Sequence, residues 1–262
     1  MIGIFDSGVG GLTVVKEVQK CLPGYQILYF GDTARLPYGT KGADFVQKFS
    51  LKIANWLISN GAEIIVIACH TSSAWAGDLL KKKHKNIVFD MISFAANNVA
   101  SSTKNKKVGI IGTPGTIKSR AWNKELKKAD PSLKIFSQAC PLFVPMVEMG
   151  FTSGRLAESI VKEYLKEIKS KKVDVLVLAC THYPLLGKTI KKYMGKKVKI
   201  INPAESTAKE IKKFLAQNKT IAKKIKKGKK QKFIFSDEPY NLEKISRLCF
   251  GKEIRAEIKD SF

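Results

Sequence analysis

Two cysteines stand in matching surroundings. Glu63 to Thr71 reads as an acidic residue, an apolar run, then Ala68-Cys69-His70-Thr71. Asp174 to His182 repeats the order, ending Ala179-Cys180-Thr181-His182, with the second cysteine 111 residues after the first. A single cysteine at the end of a buried strand is usually a small core residue. Two of them, each followed by hydroxyl and imidazole groups where a helix should begin, point to chemistry. A helix N-terminus favours a thiolate over a thiol, and a neighbouring positive charge adds to this, so both thiols are expected to be acidified. Disulfide exchange needs the two sulfurs close together, usually as a Cys-x-x-Cys pair, and that spacing is missing. Thiols flanking a ligand from opposite sides would instead remove a proton from a carbon centre and return one to its other face. Such an enzyme uses one thiolate and one thiol at a time. A pseudo-symmetric pair suits a substrate and product that are mirror images.

The elements around these residues are those of an α/β protein. Short β-rich runs at 1–5, 26–30, 63–68, 87–91, 107–111, 133–136, 173–178, 198–201, 232–236 and 253–258 alternate with helical patterns. In 41–60, Phe45, Phe49, Ile53, Trp56 and Leu57 recur at helical spacing, as do Leu156, Ile160, Tyr164, Leu165 and Ile168 in 153–169. Ile64 to Ala68 and Val175 to Ala179 are apolar throughout, the mark of strands buried on both faces in a parallel sheet covered by helices. In such sheets ligands sit at the carboxyl ends of strands, which is where both cysteines fall.

The echo between the cysteine segments implies two related halves. A boundary near 92–105, with the tail after about 205 returning to the first half, gives domains of 1–95 plus 206–262, carrying Cys69, and 96–205, carrying Cys180. After the first strand comes Asp6-Ser7-Gly8-Val9-Gly10-Gly11-Leu12-Thr13. Its glycines would let backbone N–H groups approach an anion, but it lacks Gly-Lys-Ser/Thr and is not a Gly-x-Gly-x-x-Gly fingerprint. By itself it reads as a tight strand-to-helix turn, with Asp6 placed to tune a facing base. Gly112 to Thr116 is a turn of the same sort, or a cradle for a carboxylate.

Composition narrows the function classes. The formal net charge is +25, yet only five of the 47 basic residues are arginine. Nucleic-acid readers lean on arginine for bidentate contacts, so a lysine-coated surface is the plainer reading and specific nucleic-acid binding is not expected. A basic nucleic-acid-associated protein is the rival from another class, resting on that charge and on the eight lysines of 219–232. No aromatic residues interleave there to stack bases. The apolar runs are of strand length, well short of the ~20 residues of a bilayer span. No secretory leader is expected ahead of the first strand. Five cysteines, an odd number without scaffold spacing, suit reduced thiols in a cytoplasm. No metal set is apparent.

Taken together the motifs resemble the glutamate racemases of the aspartate/glutamate racemase superfamily. The matching stretches are Ile4 to Thr13, Gly31-Asp32-Thr33-Ala34-Arg35-Leu36-Pro37-Tyr38-Gly39, Ala68 to Ala74 and Leu178 to Leu186. The resemblance implies two similar parallel-sheet α/β domains facing each other across an active-site cleft, commonly as a homodimer, and D-glutamate supplied for peptidoglycan. It implies that Cys69 takes the α-proton from D-glutamate and Cys180 from L-glutamate, assisted by Asp6 and His182. Asp6, Ser7, Tyr38, Gly39, His70, Thr71, Thr181 and His182 fall at substrate-contacting positions, with Thr116 as a further candidate. No pyridoxal phosphate, metal or other cofactor is implied. One residue departs from the pattern: His70 stands where the family usually has asparagine. If protonated it could acidify Cys69 or pair with a substrate carboxylate; it could also shrink the pocket and change which acid fits, so an aspartate or other acid racemase is the alternative.

Overall fold

The computed structural model describes residues 1–84, 87–228 and 231–259. Among the described residues ten strands form two sheets. The first has six strands in the order β10-β9-β2-β1-β3-β4, from β1 (Ile2–Asp6), β2 (Ile27–Gly31), β3 (Ile64–Ile67), β4 (Val88–Asp90), β9 (Lys232–Phe235) and β10 (Glu257–Ile258). The second has four in the order β6-β5-β7-β8, from β5 (Lys107–Gly112), β6 (Lys134–Ala139), β7 (Val175–Ala179) and β8 (Lys199–Ile201). Every pairing within both sheets is parallel.

The two sheets share a connectivity. Strands β2-β1-β3-β4 and β6-β5-β7-β8 have the same order, so β3 and β7 are equivalent, and a cysteine follows the carboxyl end of each. In this order the chain crosses to opposite sides after the first strand of each set, which opens a crevice beside the β1 and β3 tips and beside the β5 and β7 tips. Residues of β1, β3, β5 and β7 are buried almost without exception, as strands covered by helices on both faces must be.

The helical patterns are present, with their buried faces rotated from the expected ones. Helix α1 (Leu12–Cys21) follows β1. Helix α2 (Ala43–Ser59) buries Val46, Ser50, Ile53, Ala54 and Leu57. Phe45 and Phe49 instead lean on a small cluster with Tyr38 and Cys69. Helix α3 (His70–His84) starts at the first cysteine motif. Farther on, α8 (Gly154–Ser170) buries Ala157, Val161, Leu165 and Ile168, leaving Leu156 exposed. Each large side chain so buried contributes about 1.5–3 kcal/mol through removal of apolar surface from water.

The serine-rich stretch read as a boundary is a helix, α4 (Ser93–Ser102). Asp90 accepts hydrogen bonds from the Ile92 and Ser93 amides at 2.7 and 2.8 Å, satisfying N–H groups at its start. Ala95, Ala96 and Val99 then pack into the core of the second sheet. Three more helices, α5 (Pro114–Ser119), α6 (Ala121–Ala129) and α7 (Phe143–Glu148), lie between β5 and α8. After β7 come α9 (Gly187–Met194) and α10 (Pro203–Gln217), the latter begun by Asn202, whose side chain accepts from Ala204 N at 3.2 Å. The chain then returns to the first sheet through α11 (Lys219–Lys224), β9, α12 (Leu242–Phe250) and the two-residue β10, shorter than expected. Of the lysine-rich 219–232 segment, residues 229 and 230 lie outside the described residues. Lys226 and Lys227 run along the start of β2, where Gln26 N donates to the Lys226 carbonyl at 3.0 Å.

Candidate active site

The strand tips of the two sheets enclose a cavity of about 320 Å³, within the range of small-ligand sites. Ser7, Tyr38, Gly39, Cys69, His70 and Thr71 line it from one side, and Cys180, Thr181 and His182 from the other. Of the expected site residues only Asp6 and Thr116 stand behind the wall. The halves touch beside the cavity: Thr13 Oγ1 donates to the Thr181 carbonyl at 2.8 Å. Two glycines permit this approach. A Cβ on Gly10 would lie 2.5 Å from the His182 ring, and one on Gly39 2.7 Å from Thr113 Cβ.

Both cysteines are 6% exposed, and their electrostatic surroundings differ. The Cys69 thiol is pushed up to about 11 by burial and by the Asp6 carboxylate, despite the Ser72 amide donating to Sγ at 3.5 Å. The expected acidification by the α3 N-terminus is therefore overturned at Cys69: desolvation and a neighbouring anion outweigh the helix. Its thiol donates to Ser7 Oγ at 3.7 Å. Asp6 is itself raised to about 6 by burial, opposed by the charge of His182, the Gly8 amide at 3.1 Å and the Thr181 hydroxyl at 3.3 Å.

Beside Cys180 stands a His182–Glu148 pair. Its Sγ lies 3.9 Å from His182 Nδ1, and His182 Nε2 lies 2.9 Å from Glu148 Oε1. Burial disfavours the imidazolium, but the bonds to Cys180 and Glu148 more than offset it and raise the His182 pKa to about 10. His182 is therefore an imidazolium at neutral pH, held between a sulfur and a carboxylate.

His70 is the opposite case. Its ring stacks on Trp122 with centroids 6.4 Å apart, and both ring nitrogens are buried without a hydrogen-bond partner. Burial lowers its pKa to about 3, against a small pull from Asp90. Where it sits, charge on His70 is disfavoured by burial, and the ring lines the cavity in its neutral form.

The remaining expected contacts are hydroxyls and backbone. Thr71 Oγ1 lies 2.9 Å from Thr113 Oγ1 and 3.2 Å from Thr116 Oγ1, so Thr116 braces Thr71 from behind the wall. Tyr38 gives its hydroxyl to Asp32 at 2.6 Å, leaving its ring and backbone to face the cavity. No lysine or arginine lines the cavity among the described residues. Nor does any group of three or more metal-ligating side chains converge among them. A carboxylate here would meet the hydroxyls of Ser7, Thr40, Thr71, Thr113 and Thr181 and, at neutral pH, the His182 imidazolium.

Three neighbours of the site were not singled out from the sequence: Thr113 lay unnamed within the Gly112-to-Thr116 cradle, and Asp32 and Glu148 were given no role. Glu148 comes from α7, 34 residues before the imidazole it faces, in a stretch without any motif. Thr113 starts α5, and its side chain accepts from Thr116 N at 3.3 Å. Asp32 is fully buried beneath the loop 33–40, taking bonds from Tyr38, Arg35 at 2.7 Å and Ser236 at 2.8 Å. Its place in the Gly31-to-Gly39 motif was the available signal.

Residues 12–211 match the model of the Asp/Glu/hydantoin racemase family. The chain belongs to that family. Among curated members of this racemase family it is 40% identical over 253 residues to the glutamate racemase of Geobacter metallireducens, covering 97% of this chain and 93% of that protein. It is 41% identical over 257 residues to that of Persephonella marina, covering 98% and 95%. Among solved structures it superposes on the glutamate racemase of Francisella tularensis in complex with D-glutamate with a TM-score of 0.88 at 38% identity, covering 98% of this chain and 96% of that one. As a member of this family, the chain carries a two-lobed α/β fold with parallel sheets.

Proposed function

We propose that this protein racemises glutamate, interconverting the L and D enantiomers without a cofactor. The observation that carries the reading is the placement of Cys69 and Cys180 after equivalent strands of two like-ordered sheets, lining one cavity of amino-acid size. A structural relative at 38% identity holds D-glutamate, which supports the substrate. Domains of 1–95 plus 206–262 and 96–205, each bringing one thiol, follow from the same reading. So do a cytoplasmic setting, a homodimer and a supply of D-glutamate to peptidoglycan. No helix among the described residues is long and apolar enough to cross a membrane.

The charges set a resting state. Cys69, raised to about 11, rests as a thiol and is the proton donor. Cys180, with the His182 ring 3.9 Å from its Sγ, is the base in this direction. L-Glutamate lying between them loses its α-proton to the Cys180 thiolate. The electron pair left on Cα takes the Cys69 proton from the opposite face, giving D-glutamate, Cys180 thiol and Cys69 thiolate. The reverse reaction begins from that second state. The α-hydrogen is a very weak acid, so the carbanion-like transition state needs fixed donors in a site shielded from water. The Ser7, Thr71, Thr113 and Thr181 hydroxyls and the wall of Leu36, Pro37, Pro141, Val144 and Pro145 answer both needs.

Side-by-side incubation with L-glutamate and L-aspartate, followed by optical rotation, tests the assignment. Loss of rotation with glutamate is expected; a faster loss with aspartate would overturn it.

A further inference from the structure

Asn241 behaves unlike a residue at its position. It is the N-cap of α12, where asparagine ordinarily turns its side chain onto the amides of its own helix. Here it makes no such bond. Its backbone is left-handed, with φ 60° and ψ 29°, and its Nδ2 donates instead to the Glu148 carbonyl at 2.6 Å. That carbonyl closes α7, a helix of six residues; the carbonyls of Pro145, Met146 and Val147 take the amides of residues 149–151, which leaves the Glu148 carbonyl to Asn241. Lys244, one turn along α12, reaches the next carbonyl, that of Met149, at 3.4 Å. The far end of the same segment is anchored on the other wall of the site. Ser236 Oγ donates to Asp32, the partner of the Tyr38 hydroxyl, and Asp237 N donates to Thr33 Oγ1 at 2.9 Å. Residues 236–241 thus strap the loop beside Cys69 to the helix whose last side chain faces His182.

We propose that Asn241 is a positioning residue: by holding the end of α7 it sets the Glu148 carboxylate, and through it the His182 imidazole, against Cys180. A short helix whose terminal carbonyl loses its donor frays from that end, and Glu148 is the residue at that end. The groups facing His182 are Cys180, Glu148 and, across the cavity, Asp6. Moving Glu148 removes one of the two bonds that keep the ring protonated. The consequence for turnover rests on the reading of Cys180 as the base for L-glutamate. The consequence for His182 does not.

The test uses Asn241→Gly, which keeps the left-handed backbone and deletes only the side-chain donor. Asn241→Asp, also tolerant of that conformation, replaces the donor with an acceptor and serves if the glycine variant is poorly folded. The chain has three histidines, so imidazole 15N resonances can be titrated individually in the full-length protein. Either variant should lower the His182 pKa by about one unit or more from its starting value near 10, leave His70 and His84 unchanged, and cut kcat about fivefold. Tyr240→Ala, an exposed change one residue away, should alter none of these. An unshifted His182 in folded Asn241→Gly or Asn241→Asp would overturn the proposal whatever the activity. A wild-type protein inert towards L-glutamate would sink the substrate assignment, and the His182 titration would still settle the role of Asn241.

Discussion

Thr181, the residue after one thiol, gives its hydroxyl to Asp6 Oδ2 at 3.3 Å. Asp6 in turn is the anion that raises the other thiol, Cys69. The carboxylate beside one sulfur is thus held in part by a hydroxyl from the other half.

Replacing either sulfur should remove racemisation while leaving the fold. A serine hydroxyl is a far weaker base than a thiolate, and a positioned acid or base is worth about 10²–10⁴ in rate. Cys69→Ser and Cys180→Ser are each expected to lose at least the lower of these factors in kcat/KM with glutamate, with unfolding midpoints near that of the wild type. A single serine variant of near-normal activity would remove its sulfur from the mechanism.

Asp6 should cost stability at neutral pH. Its folded pKa, about 6, lies above the ordinary carboxylate value of 3.8. Stability is therefore greatest below 3.8 and is lost as pH rises through 6, by about 3 kcal/mol for a shift of this size. Asp6→Asn keeps the shape and the Gly8 bond without the charge. Urea denaturation should find it more stable than wild type by an amount of that order at pH 8 and equal to it below pH 4, with much reduced activity. Equal stabilities at pH 8 would show that Asp6 carries no burial penalty.

His70 gives the opposite slope. Its folded pKa of about 3 lies below its unfolded value of 6.5, so its contribution is present above 6.5 and is lost as pH falls towards 3. Between those values wild type should lose up to about 1.4 kcal/mol per pH unit relative to His70→Asn. The rate profile of His70→Asn between pH 5 and 8 should keep the wild-type shape, because a neutral ring has nothing to titrate there. A new or missing inflection near pH 6.5 would contradict the burial of the ring.

The Asp32 carboxylate holds Tyr38, Arg35 and Ser236, while its backbone amide donates to the Asp6 carbonyl at 3.0 Å. Asp32→Asn weakens three charge-assisted bonds and frees the loop 33–40 that walls the cavity. A rise in KM of about tenfold, with a smaller change in kcat, is expected from steady-state kinetics. A fall in kcat at constant KM would instead place Asp32 in the chemical step.

The alternation of strands and helices, and the doubled Ala-Cys segment, were legible because buried parallel strands leave unbroken apolar runs. Most of the chain's site residues sit in the four motifs for the same reason: strand tips are local in sequence. What escaped was non-local or context-dependent. Glu148 meets His182 because α7 packs against the turn 183–186 that follows β7, and nothing around Pro145 or Glu148 announces that. The stretch 93–102, read only as a boundary between halves, is a helix that Asp90 caps and whose Ala95, Ala96 and Val99 are buried. The Cys69 environment was misread because helix polarity is visible in a sequence and desolvation beside Asp6 is not.

The two-thiol account is tested most directly by incubating the protein with L-glutamate in D2O and reading the α-position of both enantiomers early in the reaction. Opposed acid and base on separate sulfurs predict that D-glutamate carries α-deuterium from its first appearance, while unreacted L-glutamate keeps its α-hydrogen. Deuterium entering the remaining L-glutamate as fast as D-glutamate forms would contradict the account, since one exchanging group would then serve both faces.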